Sequence, residues 1–317
     1  MPEPILQTIG LKKYFDVGRS KLHAVDDVNL SIGRGCTLGV VGESGCGKTT
    51  LGRTILGLVP ATDGQILFEG KDITNFNAGQ MKDLRKEVQI IFQDPYSSIN
   101  PRHSVGQIIG EPMLVNNLVR DRKERKDKVL ELMRTVGLSE RLYDIYPHEL
   151  DGGRRQRIGV ARALSVNPKF IVCDEPVSAL DVSIQAQILN LLMDLQDHLG
   201  LTYLFITHAL SVARHISDEI AVMYLGQCVE RSPAKELFRN PLHPYTKALL
   251  SAILIPSAKT RDIKTEIIKG ELTSPINPKP GCRFVSRCPF GKEICIEKDL
   301  ELKEIEPAHF VQCTLYS

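Results

Sequence analysis

The stretch Gly42-Glu43-Ser44-Gly45-Cys46-Gly47-Lys48-Thr49-Thr50 decides the fold. It reads G-x-x-x-x-G-K-T and follows Cys36-Thr37-Leu38-Gly39-Val40-Val41, a short apolar run expected to be a strand. The residues after it, Leu51 to Leu58, have the spacing of a helix of about three turns that ends before Pro60. Strand, glycine-rich turn and helix form the context a phosphate-binding loop requires. The glycines let successive backbone N–H groups converge on a triphosphate, which the helix N-terminus also attracts. Lys48 adds a point charge at the β/γ-phosphates, and the Thr49 hydroxyl can ligate Mg²⁺. A chance match in a glycine turn is the plain alternative, and the flanks on both sides weigh against it. By itself the motif says nucleotide, and nothing about what the energy drives.

Working outward, Leu6–Leu11 and Ala24–Leu30 have the pattern of strands in a mixed sheet. Tyr14 and Phe15 lie between them, where a ring can stack on an adenine or simply join the core. Downstream, Gln65–Phe68 and Val88–Gln93 are expected strands, the second ending in the polar Gln93 before Asp94-Pro95. From about 95 to 160 the texture is helical: Val129, Leu132, Met133 and Val136 repeat at i, i+3, i+4, i+7. The charge run Arg120–Lys128 mixes acidic residues with basic ones and has no interleaved aromatic, which suits a solvated helix face better than nucleic acid. Leu150-Asp151-Gly152-Gly153-Arg154-Arg155-Gln156-Arg157 opens another helix. Lys169–Pro176 is a buried strand that delivers Asp174 and Glu175 to its C-terminal end, where ligands of open α/β sheets bind. One carboxylate can hold Mg²⁺ through water while the other orients an attacking water. Ser178-Ala179-Leu180-Asp181 follows, then an amphipathic helix through His198. Tyr203–Thr207 is a further strand with His208 at its end, and Ile220–Leu225 and Gln227–Glu230 form a hairpin around Gly226.

The whole composition narrows the class. The chain of 317 residues carries 40 basic and 38 acidic side chains, a net +2, so charge implies no nucleic-acid or membrane partner. Met1-Pro2-Glu3-Pro4 has no basic segment leading into an apolar one, so no secretory signal is expected. No apolar run reaches the roughly 18 residues a membrane span needs. Eight cysteines in such a chain are expected to be thiols or metal ligands and not disulfides, in a soluble cytoplasmic protein.

The ordered set of phosphate loop, Gln93, Leu150–Arg154, the Asp174-Glu175 strand, Ser178–Asp181 and His208 resembles an ABC-type ATPase over about residues 5–235. Asn240–Thr246, Ser274–Pro278 and Gly281-Cys282-Arg283-Phe284 resemble the ATP-binding subunits of oligopeptide/dipeptide permeases. The resemblance implies an α/β fold: a RecA-like P-loop ATPase core, an antiparallel β subdomain, a helical subdomain at about 95–160, and a small cysteine-containing C-terminal extension over 236–317. It implies ATP and Mg²⁺ as ligands, with Lys48 and Thr49 as the loop lysine and Mg²⁺ ligand, and Gln93 at Mg²⁺ or water. Asp174 matches the Walker B aspartate, Glu175 the general base and His208 the switch histidine. Tyr14, with Phe15 as alternative, sits where the family stacks an aromatic on adenine. It also implies a second ABC ATPase subunit packed head to tail around two ATP molecules, two membrane permease subunits and an extracytoplasmic peptide-binding protein. The chain would then work peripherally, on the cytoplasmic face of the membrane.

Three features depart from or extend the pattern. The family signature Leu-Ser-Gly-Gly-Gln reads here Leu150-Asp151-Gly152-Gly153-Arg154. The signature serine donates to the γ-phosphate of the opposite chain, which an ionised Asp151 cannot do. Like charges 4 Å apart cost about 4 kcal/mol at an effective dielectric near 20. The alternative is that Asp151 serves only as a helix cap, and Arg154 can offset its charge. The expectation is one weakened ATP site. After His208 the family usually has Asp, and here Ala209 stands. Third, Cys282, Cys288, Cys295 and Cys313 crowd the tail with spacing C-x5-C-x6-C-x17-C, neither a zinc pairing nor a ferredoxin run. The resemblance implies a [4Fe–4S] cluster on them, with zinc, free thiols or disulfides as alternatives. Cys46 and Cys173 are expected to be packing residues. A soluble repair- or translation-type ABC ATPase would bring a coiled-coil insertion or a second cassette, and a phosphate-loop kinase leaves the signature and His208 unexplained.

Overall fold

The computed structural model describes residues 4–252, 274–297 and 300–316. Met1–Glu3, on which the expectation of no secretory signal rests, lie outside the described residues. Two compact units interleave along the chain: Gly33–Cys36 with Asn75–Leu204, and Pro4–Ile32 with Thr37–Thr74 and Phe205–Ser317.

The unit that carries the phosphate loop contains an antiparallel sheet in the order Ser20–Gly33, Pro4–Val17, Asp63–Phe68, Lys71–Asp72. Its register pairs Leu6 with Phe68 and Thr8 with Ile66, so these four share one face, and all are buried. Thr8 is tolerated there because its hydroxyl donates to Val28 O (2.9 Å) and accepts from Leu30 N (3.0 Å). A second sheet runs Lys303–Glu306, His309–Val311, Gln227–Pro233, Glu219–Tyr224, Thr37–Val41. Thr37–Val41 is buried throughout and pairs in parallel with Glu219–Tyr224, from Leu38 opposite Glu219 to Val41 opposite Val222. A strand covered on both faces has no polar side to alternate, which is why its sequence is nearly continuous in apolar residues. The expected hairpin turns at Leu225 (φ 43°) and Gly226 (φ 87°), both left-handed, as a two-residue turn between twisted strands requires.

The two tail strands at the sheet edge had no sequence signal. They are held through Glu230, whose side chain is fully buried. It accepts from Leu242 N (2.7 Å) and His243 N (2.8 Å) and lies 2.8 Å from His309 Nε2. A buried carboxylate satisfied by three partners fixes the chain segments that carry them. Burial pushes His243 down to about 4, so its ring is neutral, and Nδ1 accepts from Tyr245 N at 3.0 Å.

In the other unit Phe170–Asp174 runs parallel to Val88–Ile91, from Val88 opposite Phe170 to Ile91 opposite Cys173. Helices Val105–Val115, Arg122–Thr135, Gly152–Leu164 and Val182–Leu199 surround it in sequence. Arg122–Thr135 starts at Asp121, whose carboxylate accepts from Glu124 N at 2.7 Å. It buries Val129 and Met133, with Val136 just beyond its end, and keeps most of the charge run exposed, the division the periodicity predicts.

Element ends differ by a few residues. The helix after the phosphate loop spans Lys48–Ile55, three residues earlier than the periodicity placed it. Gly47 already occupies its N-cap, and Gly57 turns left-handed (φ 63°) with Leu58 N bonded back to Arg53 O, which closes the helix. Among the described residues no helix is long and apolar enough to cross a membrane.

Candidate nucleotide-binding site

Three contacts shape the Gly42–Thr50 loop from behind. A Cβ on Gly42 would sit 2.2 Å from Met223 O, and one on Gly47 would sit 1.9 Å from Ala24 O. Both glycines also have positive φ (151° and 103°), so any side chain there meets backbone and strain together. Gly226 N donates to Cys46 O at 2.8 Å, so the hairpin turn backs the same segment. Ser44 and Gly45 are exposed at the tip, and Cys46 is buried, as a packing residue should be. The Lys48 side chain is only 5% exposed; its Nζ donates to Gly42 O and Glu43 O, each at 2.9 Å. The ammonium is therefore held inside the loop's own curve. No side chain caps the N-terminus of the Lys48–Ile55 helix, so its first N–H groups point at the loop as an anion site does. Thr49 and Thr50 form its first turn.

The same unit brings His208 to the loop's base. Thr207 N donates to Val40 O at 3.1 Å, which ties the residue before His208 to the strand that feeds Gly42. His208 itself is exposed. Tyr14 lies on Pro4–Val17, its hydroxyl donating to Asp26 and its ring stacked on His23, 3.9 Å between centroids with planes 21° apart. Burial and then Asp26 raise the Tyr14 pKa. Burial pushes the Asp26 carboxyl up, but bonds from Tyr14 and His23 and the Arg283 charge outweigh it, so Asp26 stays below the usual carboxylate range. One face of the ring expected to meet adenine is thus already covered by His23. Phe15 is exposed, beneath the Lys13 ammonium.

The second unit gathers the acidic group. Asp174 is buried at the end of Phe170–Asp174, and Glu175 follows with φ 49°, an unusual conformation for a glutamate. Gln93 Nε2 donates to Glu175 Oε2 at 3.1 Å, so two residues distant in sequence meet. Ser178 closes a tight turn on Glu175 O through its backbone N–H (3.2 Å) and its hydroxyl (3.1 Å), and Asp181 stands at the N-cap position of the next helix without a side-chain cap bond. Asp151 accepts from Arg154 N (2.8 Å) and pairs with Arg154 Nε at 3.5 Å, which makes it the helix cap of Gly152–Leu164. Gly153 packs against Ile184, whose Cγ2 would lie 2.7 Å from an added Cβ. Within this unit Gln93 and Asp174 carry oxygen donors of the hard kind Mg²⁺ takes.

The tail cysteines are all free thiols. Burial and then the neighbouring cysteines push Cys282 up to about 11, and Cys288 and Cys313 also move up. Cys282 N bonds to Cys295 O at 2.7 Å, and Cys295 Sγ lies 3.2 Å from Thr314 Oγ1. Among the described residues no group of three or more His, Cys, Asp or Glu is placed to hold a metal. The four-cysteine set is, as folded here, not a ligand set.

Sequence reasoning missed the groups that brace the loop from the tail. Tyr245, fully buried, accepts from Glu43 N at 3.0 Å. Arg287 makes a forked contact to the Glu43 carboxylate, at 3.0 and 3.2 Å. Arg283 pairs with Asp26. The signal was at most that Tyr245 and Arg283 stand within the permease-like tail stretches; Arg287 stands outside them.

Comparison with known proteins follows the same lines. The ABC transporter family model matches residues 25–178, and the model for the oligopeptide/dipeptide transporter C-terminal region matches 229–295. The chain is 52% identical to the oligopeptide transport ATP-binding protein AppF of Bacillus subtilis, covering 99% of this chain and 98% of that one. It is 50% identical to OppF of Salmonella typhimurium, covering 92% and 91%. It is 47% identical to the dipeptide transport ATP-binding protein DppF of Escherichia coli, covering 96% and 92%. Among solved structures, cbiO1 from Clostridium perfringens, part of an ABC transporter complex, superposes with a TM-score of 0.67 at 28% identity, over 75% of this chain and 92% of that one. The dimeric ATP-binding cassette MJ0796 bound to ADP and Pi gives 0.66 at 26% identity, over 72% and 98%.

Proposed function

The chain belongs to the ABC transporter family, and from that premise we propose that it is the ATP-hydrolysing subunit of an importer of oligopeptides or dipeptides. The observation that carries this reading is the likeness to peptide-transport ATP-binding proteins over the full length, tail included. We take residues 1–235 as the ATPase cassette and 236–317 as its transporter-type extension. Lys48, with the N–H groups of Gly42–Thr50, holds the phosphates. Thr49, Gln93 and Asp174 hold Mg²⁺, which neutralises phosphate charge when bound. Glu175, oriented by Gln93, is the general base for the attacking water, and His208 senses the γ-phosphate. Tyr14 supplies the base platform.

The partners are a second ABC ATPase subunit, two membrane permease subunits and an extracytoplasmic peptide-binding protein, with this chain peripheral on the cytoplasmic face. A signature carrying Asp151 and Arg154 in place of Ser and Gln weakens the ATP site it completes on the partner subunit, which favours a heterodimer. Vesicles containing the assembled complex test the function: peptide accumulates inside only with MgATP and the binding protein. Accumulation that persists without ATP, or transport of another solute class alone, discards the peptide-import reading.

On the resemblance alone, the four tail cysteines are carried as ligands of a [4Fe–4S] cluster, with zinc as the alternative. Binding either requires the thiols to draw closer than they stand. Protein purified without oxygen is expected to carry about four iron and four sulfide per chain. Zinc without iron makes the tail a zinc staple, and neither metal removes the assignment.

A further inference from the structure

The stretch Cys282–Cys288 folds as a tight turn, with Val285 N bonded to Cys282 O (3.2 Å) and Arg287 N to Phe284 O (3.0 Å). Phe284 is its anchor, buried between Tyr224 and Tyr245 with ring centroids 5.3 and 5.4 Å away. The anchor leaves Arg283 and Arg287 on the two sides of the turn, each almost fully buried at the side chain (5% and 9% exposed). Arg283 donates to the Asp26 carboxylate and to Leu225 O. Asp26 in turn accepts from the Tyr14 hydroxyl and lies 3.1 Å from His23 Nδ1, the two rings that stack on each other. A cavity of about 350 Å³ opens here, lined by Tyr14, His23, Asp26, Lys279, Pro280 and Arg283. Arg287 takes the opposite direction. Its fork grips Glu43, the first residue of the loop after Gly42, and its Nη1 also reaches Tyr224 Oη at 3.3 Å.

We propose that Arg283 and Arg287 are positioning residues of the nucleotide site, through which the C-terminal extension sets base selectivity and phosphate affinity. The inference rests on the nucleotide reading given above. A carboxylate beside a triphosphate-binding loop repels its ligand; Glu43 is compatible with that position because the planar guanidinium of Arg287 neutralises it and fixes its direction. Tyr245 fixes the same residue through its backbone. On the other side, Arg283 sets Asp26, Asp26 sets the Tyr14 hydroxyl, and the Tyr14–His23 pair forms the wall of the cavity. Each arginine is directly next to a tail cysteine, Cys282 and Cys288, so whatever fixes those thiols also fixes both contacts.

The test measures binding of MgATP, MgGTP and inorganic tripolyphosphate to the full-length chain and three variants. Arg287→Gln is expected to weaken all three about tenfold, and adding Glu43→Gln to it restores most of the loss, because the uncompensated carboxylate is then gone. Arg283→Gln is expected to leave tripolyphosphate unchanged and to shrink the preference for MgATP over MgGTP at least about threefold. An Arg287→Gln chain that binds all three ligands within twofold of the parent, or an Arg283→Gln chain that keeps the parent's preference for MgATP over MgGTP, overturns the proposal. So does an Arg287→Gln defect that Glu43→Gln fails to rescue, since that marks a role in folding alone. A parent chain that binds none of the three ligands instead overturns the nucleotide reading on which the proposal rests.

Discussion

Glu175→Gln lowers ATP turnover of the assembled complex by at least about 100-fold while MgATP still binds, the range expected for loss of a positioned general base. The amide matches the carboxylate in size and can rotate to keep a hydrogen bond with Gln93, now 3.1 Å from Glu175 Oε2. The substitution therefore removes the proton acceptor and little else. Asp174, one residue earlier and buried, is unchanged, so the proposed Mg²⁺ ligand stays in place. The backbone at Glu175 is also undisturbed, since Gln adopts the same left-handed φ at similar cost. Nucleotide affinity and kcat separate the cases: an intact Kd with collapsed kcat assigns Glu175 to the chemical step. Turnover within tenfold of the parent removes it from that role.

The second large effect concerns the signature. Asp151→Ser together with Arg154→Gln is expected to raise hydrolysis at the partner's ATP site about tenfold, without changing the site built on Lys48. A hydroxyl that donates to a charged acceptor contributes about 1.5–3 kcal/mol, enough for that change before any repulsion is counted. In this chain both Asp151 oxygens are turned to Arg154, one to its backbone N–H and one to its guanidinium. Serine keeps the cap, so the helix Gly152–Leu164 keeps its start. Glycine at 153 remains essential for packing on Ile184, and neither substitution touches it. An unchanged rate at the partner's site leaves Asp151 as a cap and nothing more.

The legible part of this protein was local. The phosphate loop declares itself because its glycines, lysine and threonine are contiguous and its strand and helix flank it directly. The buried strands Thr37–Val41 and Phe170–Asp174 and the turn at Leu225-Gly226 were readable for the same reason. The helix start at Lys48 was read three residues late, because periodicity cannot see that the last loop residues already have helical backbone. What the sequence hid was non-local. Gln93 and Glu175 lie 82 positions apart, Glu43 and Arg287 244, Asp26 and Arg283 257. No period or spacing links such residues; only the sheet and the aromatic anchor at Phe284 bring them together. In the tail the cysteines carried the recognisable chemistry; Arg283 entered only as part of the Gly281–Phe284 stretch, and Arg287 belonged to no motif. Tyr14 was located by position, while its stacking on His23 belongs to a contact within the β subdomain that no motif encodes.

Under the proposed function this chain's own ATP site is the working one of two unequal sites. This is tested most directly by trapping the turning-over complex with vanadate and a photoreactive azido-ATP, then counting labelled ADP on each ATPase chain. The expected result is label on this chain and little on its partner. Equal label on both chains, or label on the partner alone, contradicts it.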